Sequence, residues 1–317
     1  MTPSGSVAAG TASSSRDRTG RRGVFWAAAS VLALVLWSSG APSTLYPIYA
    51  AQWDLTPLIV TIVVAAYPLA LLVVLPILGN LSDQFGRRVV MIAGVVLIAA
   101  SAATFALAPH VGFLLIGRVL QGVGAGLAMG AGTAALMENN PTSSPRFPSA
   151  MATVSTASGL TLALVLSGAF AQYFPMPLFW SYIVLLVLSL GSIVALLRTD
   201  GHRPQLGGRW RPQAPTVPRG IRLRFSIAAM SVALAYCVGA IFMSLGAQMI
   251  TEFTQSANTA LTGVLLGCSA AAIGITALFL GWCIVGGIAY SFAFTGGLGL
   301  INQASAARHR GATLSLL

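Results

Sequence analysis

Lysine is absent: all 17 basic residues are arginine, and only six residues are acidic. Charge of either sign is scarce, at 7% of the chain against 56% hydrophobic residues. A soluble domain needs a charged surface. This composition, with a mean hydropathy of +0.84, excludes one and points to a polytopic membrane protein. All-arginine usage is in keeping with a GC-rich bacterial genome. Cysteine is scarce too. Cys237, Cys268 and Cys283 lie inside apolar runs without metal-ligand spacing, which leaves buried packing as their role. Alternation with a period of two is lacking, whereas the apolar runs continue over about 20 residues, enough for a helix to cross a hydrocarbon core of roughly 30 Å. Helices rather than a barrel follow.

Apolar runs between charges and turn residues place helices near 24–50, 56–78, 89–108, 112–137, 149–172 and 176–197, then near 225–250 and 258–280. Residues 1–22 are rich in Ser, Thr, Gly and Arg and read as a disordered arm. A cleavable signal peptide competes for this region, because small residues at Ser38-Ser39-Gly40 follow the run Val24 to Trp37. The apolar stretch continues to Ala51, which favours an uncleaved first helix. Residues 198–224 hold four prolines and seven arginines and form a linker. The organisation expected is therefore an arm (1–22), a six-helix half (23–197), a linker (198–224) and a second unit (225–317).

Arginines sort onto alternate loops. One face carries Arg16, Arg18, Arg21 and Arg22, then Arg87 and Arg88, then Arg146, then the linker, fourteen in all, and the other carries none. By the positive-inside rule the N-terminus and linker are cytoplasmic, in a multi-pass protein of the cell membrane. The basic linker is a solvated run aided by anionic lipid, and no nucleic-acid partner is expected.

The second and third runs are separated by Gly79-Asn80-Leu81-Ser82-Asp83-Gln84-Phe85-Gly86-Arg87-Arg88. Gly79 permits close helix approach, Gly86 a tight turn, Asp83 accepts hydrogen bonds or faces a helix N-terminus, and Arg87 and Arg88 anchor the cytoplasmic side. The fourth run contains Arg118-x-x-Gln121-Gly122-x-Gly124. Arg118 lies about 10 Å into its helix at 1.5 Å per residue. An arginine at that depth faces a polar cavity or a partner, or else snorkels to the interface. Gly122, Gly126 and Gly130 recur every fourth residue, the spacing of a close-packing face.

The loop at 79–88 resembles the signature between the second and third helices of the major facilitator superfamily, with Gln84 where a basic residue is usual. The Arg118 motif is similar to one found in many proton-coupled members. The resemblance implies an all-α integral membrane protein, an MFS-like bundle whose two halves rock about a midplane site. It further implies secondary transport of a small molecule, as proton-coupled efflux of a drug or metabolite, without cofactor or metal. Conformational control falls to Gly79, Asp83, Gly86, Arg87 and Arg88, and proton coupling to Arg118, Gln121 and Gly122. Substrate-cavity candidates, chosen by residue type within spans, are Trp37, Tyr46, Tyr67, Gln248 and Asn302. The fifth span departs from the drug:proton antiporter pattern. Its nearest stretch, Gly159-x-x-x-Ala163-Leu164-x-x-Ser167-Gly168, keeps the small residues without the proline.

The family plan has twelve helices. Here residues 259–301 run without charge or proline, and Gly281, Gly286, Ala289, Gly296 and Leu300 align with the fourth span at an offset of 164. The reading is a complete six-helix N-terminal half with an incomplete C-terminal half, about nine spans in total, an internal junction falling between Ile275 and Cys283. A non-transporting remnant or membrane interaction protein is the alternative function. An embedded enzyme is not expected, since His110, His202 and His309 lie far apart in loops or the tail. The sequence is silent on oligomeric state.

Overall fold

The computed structural model describes residues 6–79, 81–199 and 258–280, together with single positions between 222 and 250. The elements are α1 (Ser6–Gly40), α2 (Tyr46–Trp53), α3 (Pro57–Leu78), α4 (Leu81–Phe85), α5 (Arg87–Ala106), α6 (Val111–Glu138), α7 (Phe147–Tyr173), α8 (Pro177–Arg198) and α9 (Thr259–Leu280). Six of them, in α1, α3, α5, α6, α7 and α8, supply helices long and apolar enough to cross a membrane. Gln248, Asn302, the residues beyond 280 and the Cys283 side of the junction lie outside the described residues, as do most of the linker and of the expected span near 225–250.

Two boundaries differ from the sequence reading. The arm at 1–22 was expected to be disordered, yet α1 runs from Ser6. No proline falls between Pro3 and Pro42, and once the apolar span has met the cost of nucleation, each further residue extends the helix with one added hydrogen bond. At the other end the first span does not continue to residue 50. It stops at Gly40, and turn bonds from Ser43 N to Gly40 O and from Leu45 N to Pro42 O, both 3.0 Å, lead into α2. Pro42 could not continue the helix without losing an intrahelical bond. Pro47 sits in the first turn of α2, where its missing N–H is harmless. Pro57, Pro148 and Pro177 open α3, α7 and α8 in the same way.

Side chains finish the helix ends. Thr56 accepts from Ile59 N at the start of α3, and His110 Nδ1 accepts from Gly112 N at 3.1 Å at the start of α6. His110 is thus a helix cap.

Lipid tails give no hydrophobic drive to bring helices together, so small residues that let backbones touch decide the packing. α6 stands among α1, α3 and α5 and presents glycine to each. A Cβ on Gly122 would meet Tyr67 O of α3 at 2.5 Å, one on Gly124 would meet Gly94 O of α5 at 2.6 Å, and one on Gly132 would meet Leu32 of α1 at 3.2 Å. Of the four-residue series, Gly122 and Gly126 pack on α3, while Gly130 has open space. α9 runs antiparallel to α7. Gly263 lies against Gly168, Gly267 against Val165 and Gly274 against Ala157, and Gln172 Oε1 accepts from Thr259 N at 3.0 Å. The main core gathers Phe25, Leu32, Met91, Ile98, Ala128 and Leu136, while a second cluster of Leu45, Tyr49, Val63, Phe105, Leu114 and Tyr182 fills the end where α1 finishes and α6 begins. α3 shows an apolar outer face at Leu58, Leu69, Leu72 and Val73, as a lipid-facing helix does.

Candidate functional site

Arg118 lies two turns inside α6 and its side chain turns into the bundle, leaving the residue only 3% exposed. Snorkelling is therefore not the arrangement adopted. Isolated charge in an apolar interior is very costly, so its partners matter. The break after Gly40 brings Tyr46 at the start of α2 alongside, and Arg118 Nε donates to Tyr46 Oη at 2.5 Å. One turn along α6, Gln121 Oε1 accepts from Arg118 Nη1 at 2.6 Å. The amide nitrogen of Gln121 donates to the Ser38 carbonyl of α1, which fixes the amide so that its oxygen faces the guanidinium. Three rings face the guanidinium carbon as well, Tyr46 at 5.2 Å, Tyr67 at 5.8 Å and Phe105 at 5.9 Å. Such a contact contributes about 0.5–1 kcal/mol at an exposed site and about 2 kcal/mol when desolvated. Among the described residues Arg118 forms no ion pair.

Of the residues singled out in the sequence, Arg118, Gln121, Tyr46 and Tyr67 converge, and Gly122 brings α3, and so Tyr67, close. Trp37 does not join them and packs against the main core. Phe105 and Ser38 are additions. Phe105 reads as an ordinary core aromatic, and Ser38 acts through its backbone carbonyl, which side-chain identity does not signal.

The second group lies at the opposite end of α6. Gly86 has φ 88°, a conformation that side chains with a Cβ rarely adopt, and its turn carries α4 into α5. Arg87 then pairs with Asp83 and with Ser82 Oγ, and its Nη2 reaches Glu138 Oε1, the last residue of α6, at 2.9 Å. Arg21 Nη2 donates to the Glu138 carbonyl at 3.2 Å, and Arg88 Nη2 donates to the Leu197 carbonyl at 2.7 Å, capping the end of α8. Gly79 closes α3 in ordinary right-handed geometry. Gln84, in place of the usual basic residue, has a buried Oε1 without a hydrogen-bond partner among the described residues. Glu138 was not anticipated. Its signal was its rarity, as one of six acidic residues, placed at the end of a span.

Asp83 and Glu138 are 31% and 42% exposed in their side chains, so the network is solvent-screened. Glu138→Gln is expected to lower stability by no more than about 1 kcal/mol. Thermal unfolding in detergent at low and at high salt checks this: the difference from the parent chain should shrink as salt rises.

Six membrane-length helices packed through glycine around a buried, hydrogen-bonded arginine define a multi-pass helical membrane protein. The chain belongs to the Major Facilitator Superfamily, whose family model matches residues 28–284. Quinolone resistance protein NorA of Staphylococcus aureus is 27% identical over 108 residues, which are 34% of this chain and 28% of that protein. Putative multidrug resistance protein MdtD of Salmonella paratyphi B is 29% identical over 154 residues, 49% of this chain and 32% of the relative. The chain thus spans about a third or less of the length of these relatives. The fold is shared with a D-xylose-proton symporter, at TM-score 0.58 and 14% identity over 81% of this chain and 67% of that one. It is shared also with the human organic anion transporter MFSD10, at TM-score 0.64 and 14% identity over 93% and 89%.

Proposed function

We propose that this chain is a secondary carrier that exports a small molecule across the bacterial cytoplasmic membrane in exchange for protons, with its N-terminus inside. One observation carries the reading, the buried guanidinium of Arg118 held by Tyr46 and Gln121 with no ion-pair partner among the described residues. A guanidinium has five N–H donors, and the bonds to Tyr46 and Gln121 use two, so donors remain for a polar or anionic group of the substrate. Its fixed charge in a low-dielectric interior disfavours any second cation nearby. At the other end, Asp83, Arg87 and Glu138 tie α4, α5 and α6 together and are assigned the conformational control, with Gly79, Gly86 and Arg88 shaping and anchoring the loop. Export of drug-like molecules is supported by the names of the two curated relatives, and the cytoplasmic N-terminus by the arginine distribution.

The test uses the full chain in proteoliposomes with a fluorescent quinolone and an imposed pH gradient. The expected result is movement that depends on the gradient and stops when a protonophore collapses it. Failure of the quinolone and of a panel of metabolites to move under any gradient would favour the non-transporting remnant or interaction protein.

A further inference from the structure

The seam between α5 and α8 ends in two arginines to which the transport reading gives no ligand. The two helices pack antiparallel. Arg88, in the first turn of α5, donates from Nη2 to the Leu197 carbonyl at the end of α8 at 2.7 Å, and Phe105 at the far end of α5 stacks on Tyr182 of α8 at 4.9 Å. Arg88 and Arg198, the last residue of α8, are thereby brought to the same end of the pair. Arg88 uses one of its five N–H donors on that carbonyl, and Arg198 is exposed. Neither has an ion pair among the described residues, since the acidic side chains described at this end, Asp83 and Glu138, both pair with Arg87. Asp200 lies outside the described residues.

Beyond these two charges the surface is hydrocarbon. Arg198 stands on the same face of α8 as Val194, Gly191 and Val187, four, seven and eleven residues earlier, and all three are exposed. A Cβ on Gly191 would meet nothing within 4 Å, so the stripe has a hollow between its two valines. On α5 a second exposed stripe of Val89, Ala93 and Val96 begins at the residue after Arg88. The spans Arg87–Ala106 and Pro177–Arg198 hold 20 and 22 residues, a length that crosses the hydrocarbon core and leaves their end arginines at the level of the lipid headgroups.

We propose that this end of the α5–α8 seam binds an anionic phospholipid, its phosphate held by Arg88 and Arg198 and its acyl chains lying along the exposed stripes. A guanidinium matches phosphate oxygens with paired N–H donors, and anionic headgroups attract arginines at a span's end. A second copy of the chain is the poorer occupant, because a two-fold contact through this seam places the same arginines of both copies face to face. The site does not rest on the transport reading.

Native mass spectrometry of the full chain in detergent, titrated with phosphatidylglycerol or with phosphatidylcholine of the same acyl chains, tests it without a substrate. Phosphatidylglycerol is expected to bind about 25-fold more tightly, about 5-fold for each arginine. Arg88→Gln and Arg198→Gln should each cut its affinity by about 5-fold, and the double variant should abolish the preference. Arg88→Gln also loses the bond to α8, so Arg198→Gln decides the matter if the other variant does not fold. Arg22→Gln removes an exposed arginine of α1 at the same end of the bundle and should leave the preference intact. Equal binding of the two lipids, or a preference that survives the double substitution, overturns the site. So does a preference that Arg22→Gln weakens as much as Arg198→Gln does, which would mean a diffuse basic face. A lipid-free dimer that takes up no phosphatidylglycerol gives the seam to a second copy and overturns it as well. Binding alone is read, so the outcome is independent of whether the chain transports.

Discussion

Arg118→Ala is expected to abolish transport, with a fall of about 100-fold or more, as follows on removal of a preorganised charged donor, while the protein still inserts and folds. The expectation rests on what surrounds the side chain. Tyr46 Oη and Gln121 Oε1 both accept from it, and its central carbon lies 5.2–5.9 Å from the centroids of three rings. Deleting it leaves a buried hydroxyl and a buried amide oxygen without a donor, at about 1–3 kcal/mol each. It also removes a desolvated cation, which offsets part of that loss. The fall in stability is therefore smaller than the sum of those losses, and the loss of function is the larger effect. Arg118→Lys separates charge from shape. A lysine keeps the positive charge but lacks the fork that reaches Tyr46 and Gln121 together and the plane that stacks on the rings, so it should restore little activity. Quinolone movement in proteoliposomes, with insertion followed by protease protection, is the measurement. Normal transport by the alanine variant would remove Arg118 from the mechanism.

Gly159→Ala is expected to be the most damaging single methyl in the described part of the chain. A Cβ there would stand 2.0 Å from the Ala33 carbonyl oxygen and 2.6 Å from the Ala33 carbonyl carbon. Both atoms are backbone, so no side chain can swing aside, and α1 and α7 must part along their shared face. Overpacking of this kind costs about 1–3 kcal/mol and sometimes more. The gain of about 1 kcal/mol that alanine brings to a helix does not offset it. Gly130→Ala is the control, since nothing lies within 4 Å of its would-be Cβ, and that gain should appear there undiminished. Unfolding midpoints of the two variants in detergent should move in opposite directions. A Gly159→Ala protein as stable as its parent would mean that the helices do not meet there.

The six long helices were legible because charge is so rare that each polar gap marks a loop, and both signatures survive as contiguous residues. The meeting of Tyr46 and Tyr67 with Arg118 was only half legible. Residue type nominated the tyrosines, but the break that turns Tyr46 inward lies inside an unbroken apolar run, where Pro42 looks like any small span residue. Trp37 shows the limit of choosing by type, since its neighbour Ser38 reaches the site through a carbonyl while the indole packs elsewhere. Glu138 was hidden for a related reason. Ion pairs between residues 51 apart leave no local pattern, and only the topology of α5 and α6 brings Arg87 to it.

The guanidinium of Arg118 also has an electrical consequence. Its charge has no ion-pair partner among the described residues, so any tilt of α6 relative to the bilayer carries that charge through part of the membrane field. A full traversal is worth about 2.3 kcal/mol per 100 mV, and a shift across a tenth of the field about 0.2 kcal/mol. In a carrier whose halves rock, the resting potential then acts directly on the helix that holds the site, pulling it toward the negative, cytoplasmic side whenever α6 is free to move.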